Sequence, residues 1–346
     1  MDVVLHAGCY KTATSSIQLI ANMKRDDLAA DGILFPLAGL RRNEGSNNTL
    51  SRAHHSLFHK VKGANETQGL VAQLQEELAA VEGVTRVFLS TELLAGTDID
   101  LKRRFLDSYA PLGSFRIEYA IRAPDEYAES INNQMRKAGR VNRQFGRLPY
   151  RDDISHWTEL LGREAVRLSY FAKGNARGFI DAFYARLGAS GRMYIEGLDD
   201  NPAVSVKGML VREALMQMFH ETGPHDRRTR QRTMNAIRDF DASVLSDSPK
   251  AITLTPEDRA DILRQYRDDM EALAELLSPE ERAQMREELD PKKLARAPRK
   301  NIDDPIALSS AELIGFARLA GELGLVGARG EAAVETAAET QDDGED

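Results

Sequence analysis

Five short apolar runs lie in the first part of the chain, separated by amphipathic stretches. The runs cover residues 3–5, 32–36, 86–90, 115–121 and 166–171 and are rich in β-branched and aromatic residues, which is typical of buried strands. Helical periodicity between them predicts helices at 14–30, 69–81, 124–137 and 176–187. Because strands that alternate with helices form βα units, the pattern predicts an α/β fold with a central, mainly parallel sheet.

The pattern changes in the second part of the chain, where no strand signal interrupts the helical periodicity. Helices are predicted at 204–221, 226–244, 256–277, 279–288 and 310–324. We therefore predict an α/β domain at residues 1–220 and a helical extension or subdomain at residues 221–328. The stretch 39–65 is polar and rich in Gly, Asn and Ser, which predicts a long loop with a short helix near His55.

Charge is concentrated at the C-terminal end. The 346 residues include 46 basic and 54 acidic side chains, for a formal charge of −8. Residues 330–346 hold seven acids and no base, so they carry −7 and the preceding residues carry −1. Few large apolar residues accompany these acids, which predicts a disordered acidic tail at 329–346. The nearly neutral remainder is not typical of a nucleic-acid-binding protein, and no such partner is predicted.

Cysteine content and hydropathy bear on the compartment. Cys9 is the single cysteine, which excludes an intrachain disulfide and a cysteine zinc site. No apolar run approaches the roughly 18 residues that span a bilayer, and the N-terminal residues lack the features of a secretory signal. These features predict a cytoplasmic protein. They leave peripheral membrane association and the oligomeric state open.

The most informative stretch is VVLHAGCYKTATSSIQ, residues 3–18, in which a strand runs through a turn into a helix. Lys11 is followed by four hydroxyl residues within five positions. Free N–H groups and the positive end of the helix dipole favour an anion at this point, which predicts a phosphate or sulfate site. A nucleotide-triphosphate P-loop needs glycine before the lysine, and Tyr10 stands there instead. The alternative is a Ser/Thr-rich helix start that only caps itself.

Two segments together carry a family resemblance. HAGCYKTATSSIQ resembles the 5′-phosphosulfate loop of sulfotransferases, whose usual form is close to H-x-G-x-x-K-T-G-T-[ST]-[ST]-x-Q. IEYAIRAPDEYAESINNQMRKAG resembles the family's 3′-phosphate element, with Arg122 at the end of the strand and Ser130 eight residues later in the helix. W-x3-LG followed by VRLSYF, and NPAVS, are similar to bacterial, carbohydrate-sulfotransferase-like members. The resemblance covers roughly residues 1–220.

The resemblance implies a P-loop-NTPase-like three-layer fold with a helix-rich C-terminal part. It implies 3′-phosphoadenosine-5′-phosphosulfate as sulfuryl donor, 3′,5′-adenosine bisphosphate as product, and no required metal. Lys11 is expected to be catalytic, by neutralising charge on the bridging oxygen. The 3′-phosphate is expected at Arg122 and Ser130. The loop residues expected to bind the cofactor are Lys11, Thr12, Ala13, Thr14, Ser15 and Ser16.

One loop position departs from the family pattern. Ala13 replaces the usual glycine between the two threonines. A left-handed backbone there would make alanine cost about 1 kcal/mol or more, whereas a helical backbone would tolerate it. We expect tolerance.

Two residues compete for the role of general base. The strand ending in STE would place Glu92 at the carboxyl edge of the sheet, where related sulfotransferases have histidine or glutamate. His54, His55 and His59 cluster in the polar loop, and an imidazole titrates near neutrality. We predict Glu92 as the base and keep His55 as the alternative, as base or acceptor-binding residue. The histidines lack a third ligand, so no metal site is predicted.

These features predict an enzyme, a sulfotransferase that acts on a hydroxyl of a carbohydrate or glycoconjugate. The acceptor class follows from the similarity to bacterial members. Two alternatives stay open: a nucleotide-dependent kinase with a degenerate P-loop, and a non-catalytic glycan-binding or assembly protein on the same fold. Binding of magnesium–ATP would favour the kinase, and Tyr10 counts against it.

Overall fold

The computed structural model of the protein describes residues 1–40, 53–61, 67–137, 148–172, 174–196, 205–221, 227–245, 252–290 and 307–325. The chain divides into two compact units. The first comprises Met1–Tyr127, Gly146–Asp200 and Ala260–Lys293, and the second comprises Ala128–Phe145, Asn201–Arg259 and Leu294–Asp346. The boundaries at 220 and 328 stay predictions, and the tail at 329–346 lies outside the described residues. No described helix has the length and hydropathy needed to cross a bilayer.

A parallel five-stranded sheet runs through the first unit. Its strands are β1 (Asp2–His6), β2 (Ile33–Leu34), β3 (Arg86–Ser90), β4 (Ser114–Ile121) and β5 (Val166–Tyr170). Their spatial order is β2-β3-β1-β4-β5, and all four neighbouring pairs are parallel. The predicted α/β class with a parallel sheet is confirmed.

Fourteen described helices accompany the sheet, several of them differing from the prediction. They are α1 (Thr14–Met23), α2 (Arg25–Ala30), α3 (His55–Val61), α4 (Thr67–Ala80), α5 (Ile99–Tyr109), α6 (Pro124–Lys137), α7 (Tyr150–Leu161), α8 (Ala176–Leu187), α9 (Val206–Glu221), α10 (Arg227–Val244), α11 (Pro256–Gln265), α12 (Arg267–Ala274), α13 (Pro279–Glu288) and α14 (Ser310–Glu322). The predicted helix at 14–30 is two helices, because the backbone leaves the helical region at Lys24. The one at 256–277 is likewise divided at Tyr266.

Helices cover both faces of the sheet. Val4 and Ala120 face a core formed with α1 and α8, which contribute Ile17 and Phe183. Successive strand residues point to opposite faces, so Tyr119 faces away from this core. Its hydroxyl donates to Asp153 of α7, which places α7 on the other face.

The second unit has an apolar core of its own. Leu215 of α9, Ile237 and Phe240 of α10 and Leu319 of α14 are buried together. These residues recur at helical spacing, as the sequence predicts for this part of the chain.

Candidate functional site

The loop between β1 and α1 lies where the strand order reverses. From β1 the chain continues to β2 and β3 on one side of it, whereas β4 and β5 lie on the other side. In open α/β sheets, ligands bind beyond the carboxyl ends of the strands at such a reversal. Residues 7–13 therefore occupy the position where a ligand is expected.

This loop first follows β4. The N–H groups of Ala7 and Cys9 donate to the carbonyls of Glu118 (3.2 Å) and Ala120 (3.4 Å). Gly8 lies so close to β4 that a Cβ would be 2.9 Å from the Ala120 nitrogen. A side chain at this position would push the loop off the strand.

Lys11 and Ala13 have left-handed backbones, with φ of 69° and 60°. No other non-glycine residue in the described ranges has a positive φ. The expectation that the backbone tolerates Ala13 is therefore wrong, because left-handed L-residues cost roughly 1–2 kcal/mol each. Such strain is concentrated at functional sites, where the surrounding structure imposes it.

The N-terminus of α1 presents unused donors. Its first intrahelical hydrogen bond runs from the Ile17 N–H to the Ala13 carbonyl (3.0 Å), so the N–H groups of Thr14, Ser15 and Ser16 precede the helical ladder. No acidic residue lies in the first turn. Positive potential and free N–H groups are what an anion requires.

The loop hydroxyls divide into two kinds. Thr12 is fully buried, and its hydroxyl donates to the Cys9 carbonyl (2.7 Å), which closes the loop on itself. Thr14 is also buried, whereas Ser15 is exposed and Ser16 is half-buried. The two serines are thus the hydroxyls that can reach a ligand from the solvent side.

Arg122 follows β4 and reaches the same loop. Its Nη1 donates to the Lys11 carbonyl (2.9 Å), and its Nη2 contacts Glu126 Oε2 at 3.3 Å. Its Nε is buried and has no hydrogen-bond partner among the described residues. Burial, and then the charge of Arg122, lower the pKa of the Lys11 ammonium, while Glu92 acts in the opposite direction. Two cations held together in this way favour binding of an anion.

Ser130 lies on α6, as predicted, and is half-buried. It belongs to the second compact unit, whereas Lys11 and Arg122 belong to the first. Its part in a ligand site stays a prediction.

The two candidate bases lie side by side. Glu92 begins a short 3₁₀ turn (Glu92–Leu94) after β3, and His55 is the first residue of α3. His55 Nε2 is 3.8 Å from Glu92 Oε1, and the two side chains are 28 % and 12 % exposed. Residues that are alternatives in the sequence thus form a pair in the structure.

A threonine hydroxyl contacts His55 from the other side of the ring. Thr91 Oγ1 accepts from the Leu93 N–H (3.4 Å) and lies 3.1 Å from His55 Nδ1. When Thr91 donates to Nδ1, the proton of the neutral ring lies on Nε2, which is 3.8 Å from Glu92 Oε1. In that tautomer Glu92 is the member of the pair that has a lone pair for a substrate proton.

The other histidines of the loop have different surroundings. His54 is fully buried, with Nδ1 accepting from the Ser90 N–H (3.1 Å) and Nε2 facing the Pro36 carbonyl (2.9 Å). Burial lowers its pKa to about 4. His59 is exposed on α3. His54 therefore fastens the start of α3 to β3, and only His55 faces the site.

Gln18 is a residue that the sequence motif contains but that sequence reasoning assigned no role. Its Nε2 donates to Glu92 Oε2 (2.9 Å) and to Ser90 Oγ (3.0 Å). Ser90 Oγ also contacts Nδ1 of His6 (3.0 Å). The position of Gln18 one turn into α1, on the side of the carboxyl edge, is the signal that could have identified it.

A cavity of about 350 Å³ opens beside the loop. It is lined by Cys9, Tyr10, Ala95, Gly96, Tyr127, Leu148, Pro149 and Asp152. Burial raises the pKa of the Cys9 thiol to about 12, so it is not a thiolate nucleophile at neutral pH. Tyr10, which occupies the place of a P-loop glycine, forms part of the wall. Burial and then the charge of Glu92 raise the pKa of its phenol, so the hydroxyl stays protonated.

Within the described ranges, no group of three or more His, Cys, Asp or Glu side chains is arranged to hold a metal ion. Comparisons with protein-family models, with curated proteins and with solved structures find no match to this chain.

Proposed function

We propose that this protein is a sulfotransferase that uses 3′-phosphoadenosine-5′-phosphosulfate and transfers the sulfuryl group to a hydroxyl of a carbohydrate or glycoconjugate. The observation that carries the proposal is the hydrogen bond from Arg122 to the carbonyl of Lys11. It joins two predicted anion-binding elements, 111 residues apart in the sequence, at the switch point of the sheet. We further propose that the unit is P-loop-NTPase-like, with a phosphosulfate loop between β1 and α1.

The hydrogen-bond donors of the site suit an anion that carries two separate phosphate-type groups. The N–H groups at the start of α1, with Ser15 and Ser16, would bind the 5′ end. The buried, unpartnered Nε of Arg122 is a donor of the kind a 3′-phosphate requires. Glu126 competes for the same guanidinium, so ligand binding would displace a contact that is 3.3 Å long.

Each side chain has a defined task in the transfer. As the acceptor oxygen bonds to sulfur, its proton would pass to Oε1 of Glu92, the oxygen that lies 3.8 Å from His55 Nε2. The sulfur–oxygen bond to the 5′-phosphate breaks, and its electron pair stays on the phosphate oxygen. Lys11 neutralises the charge that develops there. The chemistry supplied by the bound donor is an activated sulfuryl group.

Calorimetry with three nucleotides tests the proposal. The protein should bind 3′,5′-adenosine bisphosphate more tightly than 5′-AMP by about 10- to 100-fold, since a charged hydrogen-bonded contact contributes about 1.5–3 kcal/mol. Arg122→Ala should bind both nucleotides equally, because the 3′-phosphate has lost its partner. Arg104→Ala, on the exposed side of α5, removes the same charge elsewhere and should keep the difference.

The kinase alternative makes the opposite prediction. Magnesium–ATP would bind more tightly than the bisphosphate, and Arg122→Ala would not change the ratio. Equal, weak binding of all three nucleotides by folded protein would contradict both enzymes and favour a non-catalytic role.

A further inference from the structure

The side-chain amide of Gln18, on α1, contacts the candidate base Glu92. It is 4 % exposed, and its carboxamide nitrogen lies within hydrogen-bond distance of both Ser90 Oγ (3.0 Å) and Glu92 Oε2 (2.9 Å). An ionised carboxylate can only accept hydrogen bonds, so the nitrogen and not the oxygen of Gln18 faces Glu92. Both amide protons are then used, one for each acceptor.

Ser90 fixes the other end of the amide. Its Oγ accepts from Gln18, so its own proton can be donated to Nδ1 of His6 at 3.0 Å. Burial lowers the pKa of His6 to about 4, which keeps the ring neutral and able to accept. Because His6 ends β1 and Ser90 ends β3, in register beside it, the two strand ends hold Gln18 in one orientation.

Glu92 is left with one oxygen held and one oxygen available. Oε2 is held by Gln18, and Oε1 faces His55 across a gap of 3.8 Å. The side chain of Glu92 has three rotatable bonds, and without Gln18 its carboxylate could turn towards solvent or towards Lys11. Lys11 is near enough for its charge and that of Glu92 to act on each other. An ion pair between them would remove the base and the leaving-group cation together.

We propose that Gln18 is a positioning residue for the sulfuryl transfer: its amide holds Glu92 so that one carboxylate oxygen stays available to the acceptor hydroxyl and the carboxylate stays apart from Lys11. The inference rests on the proposed function. One helix would thus carry both the anion site at its N-terminus and, one turn later, the residue that supports the base.

The test is a double-mutant cycle on donor turnover. Release of 3′,5′-adenosine bisphosphate from the sulfuryl donor is followed with a panel of neutral oligosaccharides as acceptors and with water alone. Gln18→Met keeps the length and burial of the side chain and removes both protons. We expect kcat to fall at least tenfold and the Kd of the bisphosphate to change less than twofold. Gln75→Met, on the exposed face of α4, is the matched control and should match the unmodified protein.

The decisive comparison is in the Glu92→Gln background. If Gln18 acts through Glu92, adding Gln18→Met there lowers kcat by less than twofold further. Losses that multiply, or a Gln18→Met protein with full kcat, would overturn the inference and leave the proposed function standing. Weaker bisphosphate binding in Gln18→Met in proportion to its lost kcat would also overturn it, because the role would then be structural. A chain that does not bind the bisphosphate at all contradicts the proposed function itself, and the inference with it.

Discussion

Two lysines of the first unit have opposite surroundings. Lys102 of α5 is fully buried and pairs with Asp153 of α7 at 2.7 Å, with exposures of 0 % and 1 %. Lys11 is half-buried in a strained loop, and the charge that most affects its pKa is that of another cation, Arg122, which lowers it. Lys102 has its ionic and hydrogen-bond partners inside the protein, whereas Lys11 has no such side-chain partner among the described residues.

The buried pair is also complete in its hydrogen bonds. Asp153 accepts from the Tyr119 hydroxyl (2.6 Å) and from the Gly96 N–H (2.9 Å), and Lys102 donates to the Thr97 carbonyl. This cluster fixes the segment after the Glu92–Leu94 turn against α7. Charges with complete internal partners hold a particular packing, whereas a partly exposed charge without them can bind a ligand of opposite charge. Lys102 and Asp153 thus belong to the scaffold, and Lys11 belongs to the candidate site.

The largest effect should come from breaking the buried pair. Lys102→Met leaves the Asp153 carboxylate without its cation and should lower the free energy of unfolding by about 3–5 kcal/mol. The ring of Trp157, the single tryptophan, has its centre 5.6 Å from Lys102 Nζ. Its fluorescence therefore reports urea unfolding of this unit. Arg103→Met removes two exposed ion pairs, with Asp100 on the same helix and with Glu159 on α7, and should cost less than about 1 kcal/mol. Equal losses in the two variants would contradict the comparison.

Glu92→Gln should leave stability and bisphosphate binding unchanged and lower transfer by at least about 10²-fold, because an amide cannot take the acceptor proton. The effect on the barrier is about 2.7 kcal/mol. His55→Gln should lower transfer less, because Nε2 of His55 lies 3.8 Å from the carboxylate and forms no hydrogen bond with it. Turnover assays on the two variants decide the assignment: full activity of Glu92→Gln would move the base to His55.

Acid should weaken the scaffold between pH 6.5 and 4. The pKa of His6 and of His54 falls from 6.5 to about 4 on folding, through burial in both cases. Their contribution to stability is fully present above pH 6.5, where both histidines are neutral in the unfolded chain as well. It is lost as the pH falls towards 4. Through these two residues together, we expect the free energy of unfolding to fall by about 2 kcal/mol between pH 7 and pH 5.5. Urea unfolding of His54→Asn, followed through Trp157, should show about half the pH dependence, and an unchanged slope would contradict this assignment.

The sequence indicates which residues share one edge of the sheet. Arg122 follows β4 directly, Glu92 follows β3 after one residue, and Lys11 lies in the loop after β1, so the carboxyl edge of a parallel sheet places all three on one side. Lys102 and Asp153 are 51 residues apart in charged segments that resemble solvated surface, and α5 and α7 are absent from the prediction for that reason. Nothing local distinguishes a buried charge from an exposed one when its partner lies on another helix.

Other differences have a geometrical origin. The helical periodicity of 14–30 continues through Lys24, so the pattern does not show the break that the backbone makes there. The left-handed backbone of Ala13 is likewise invisible, because alanine is a strong helix former. The two protons of Gln18 become informative only once β1 and β3 place their ends beside α1.

The smallest predicted effect concerns the backbone strain at Ala13, in the loop between β1 and α1. Ala13→Gly relieves a φ of 60°, which is worth roughly 1–2 kcal/mol, but gives the unfolded chain more freedom, worth about 0.4–1 kcal/mol. The net gain should lie between about 0 and 1.6 kcal/mol in urea unfolding, with bisphosphate affinity equal or slightly higher by calorimetry. Ala13→Val keeps the chain entropy low but cannot adopt this backbone without strain, and it should lose both stability and affinity. A glycine variant that is less stable than the natural alanine would show that the left-handed backbone of this loop carries no strain.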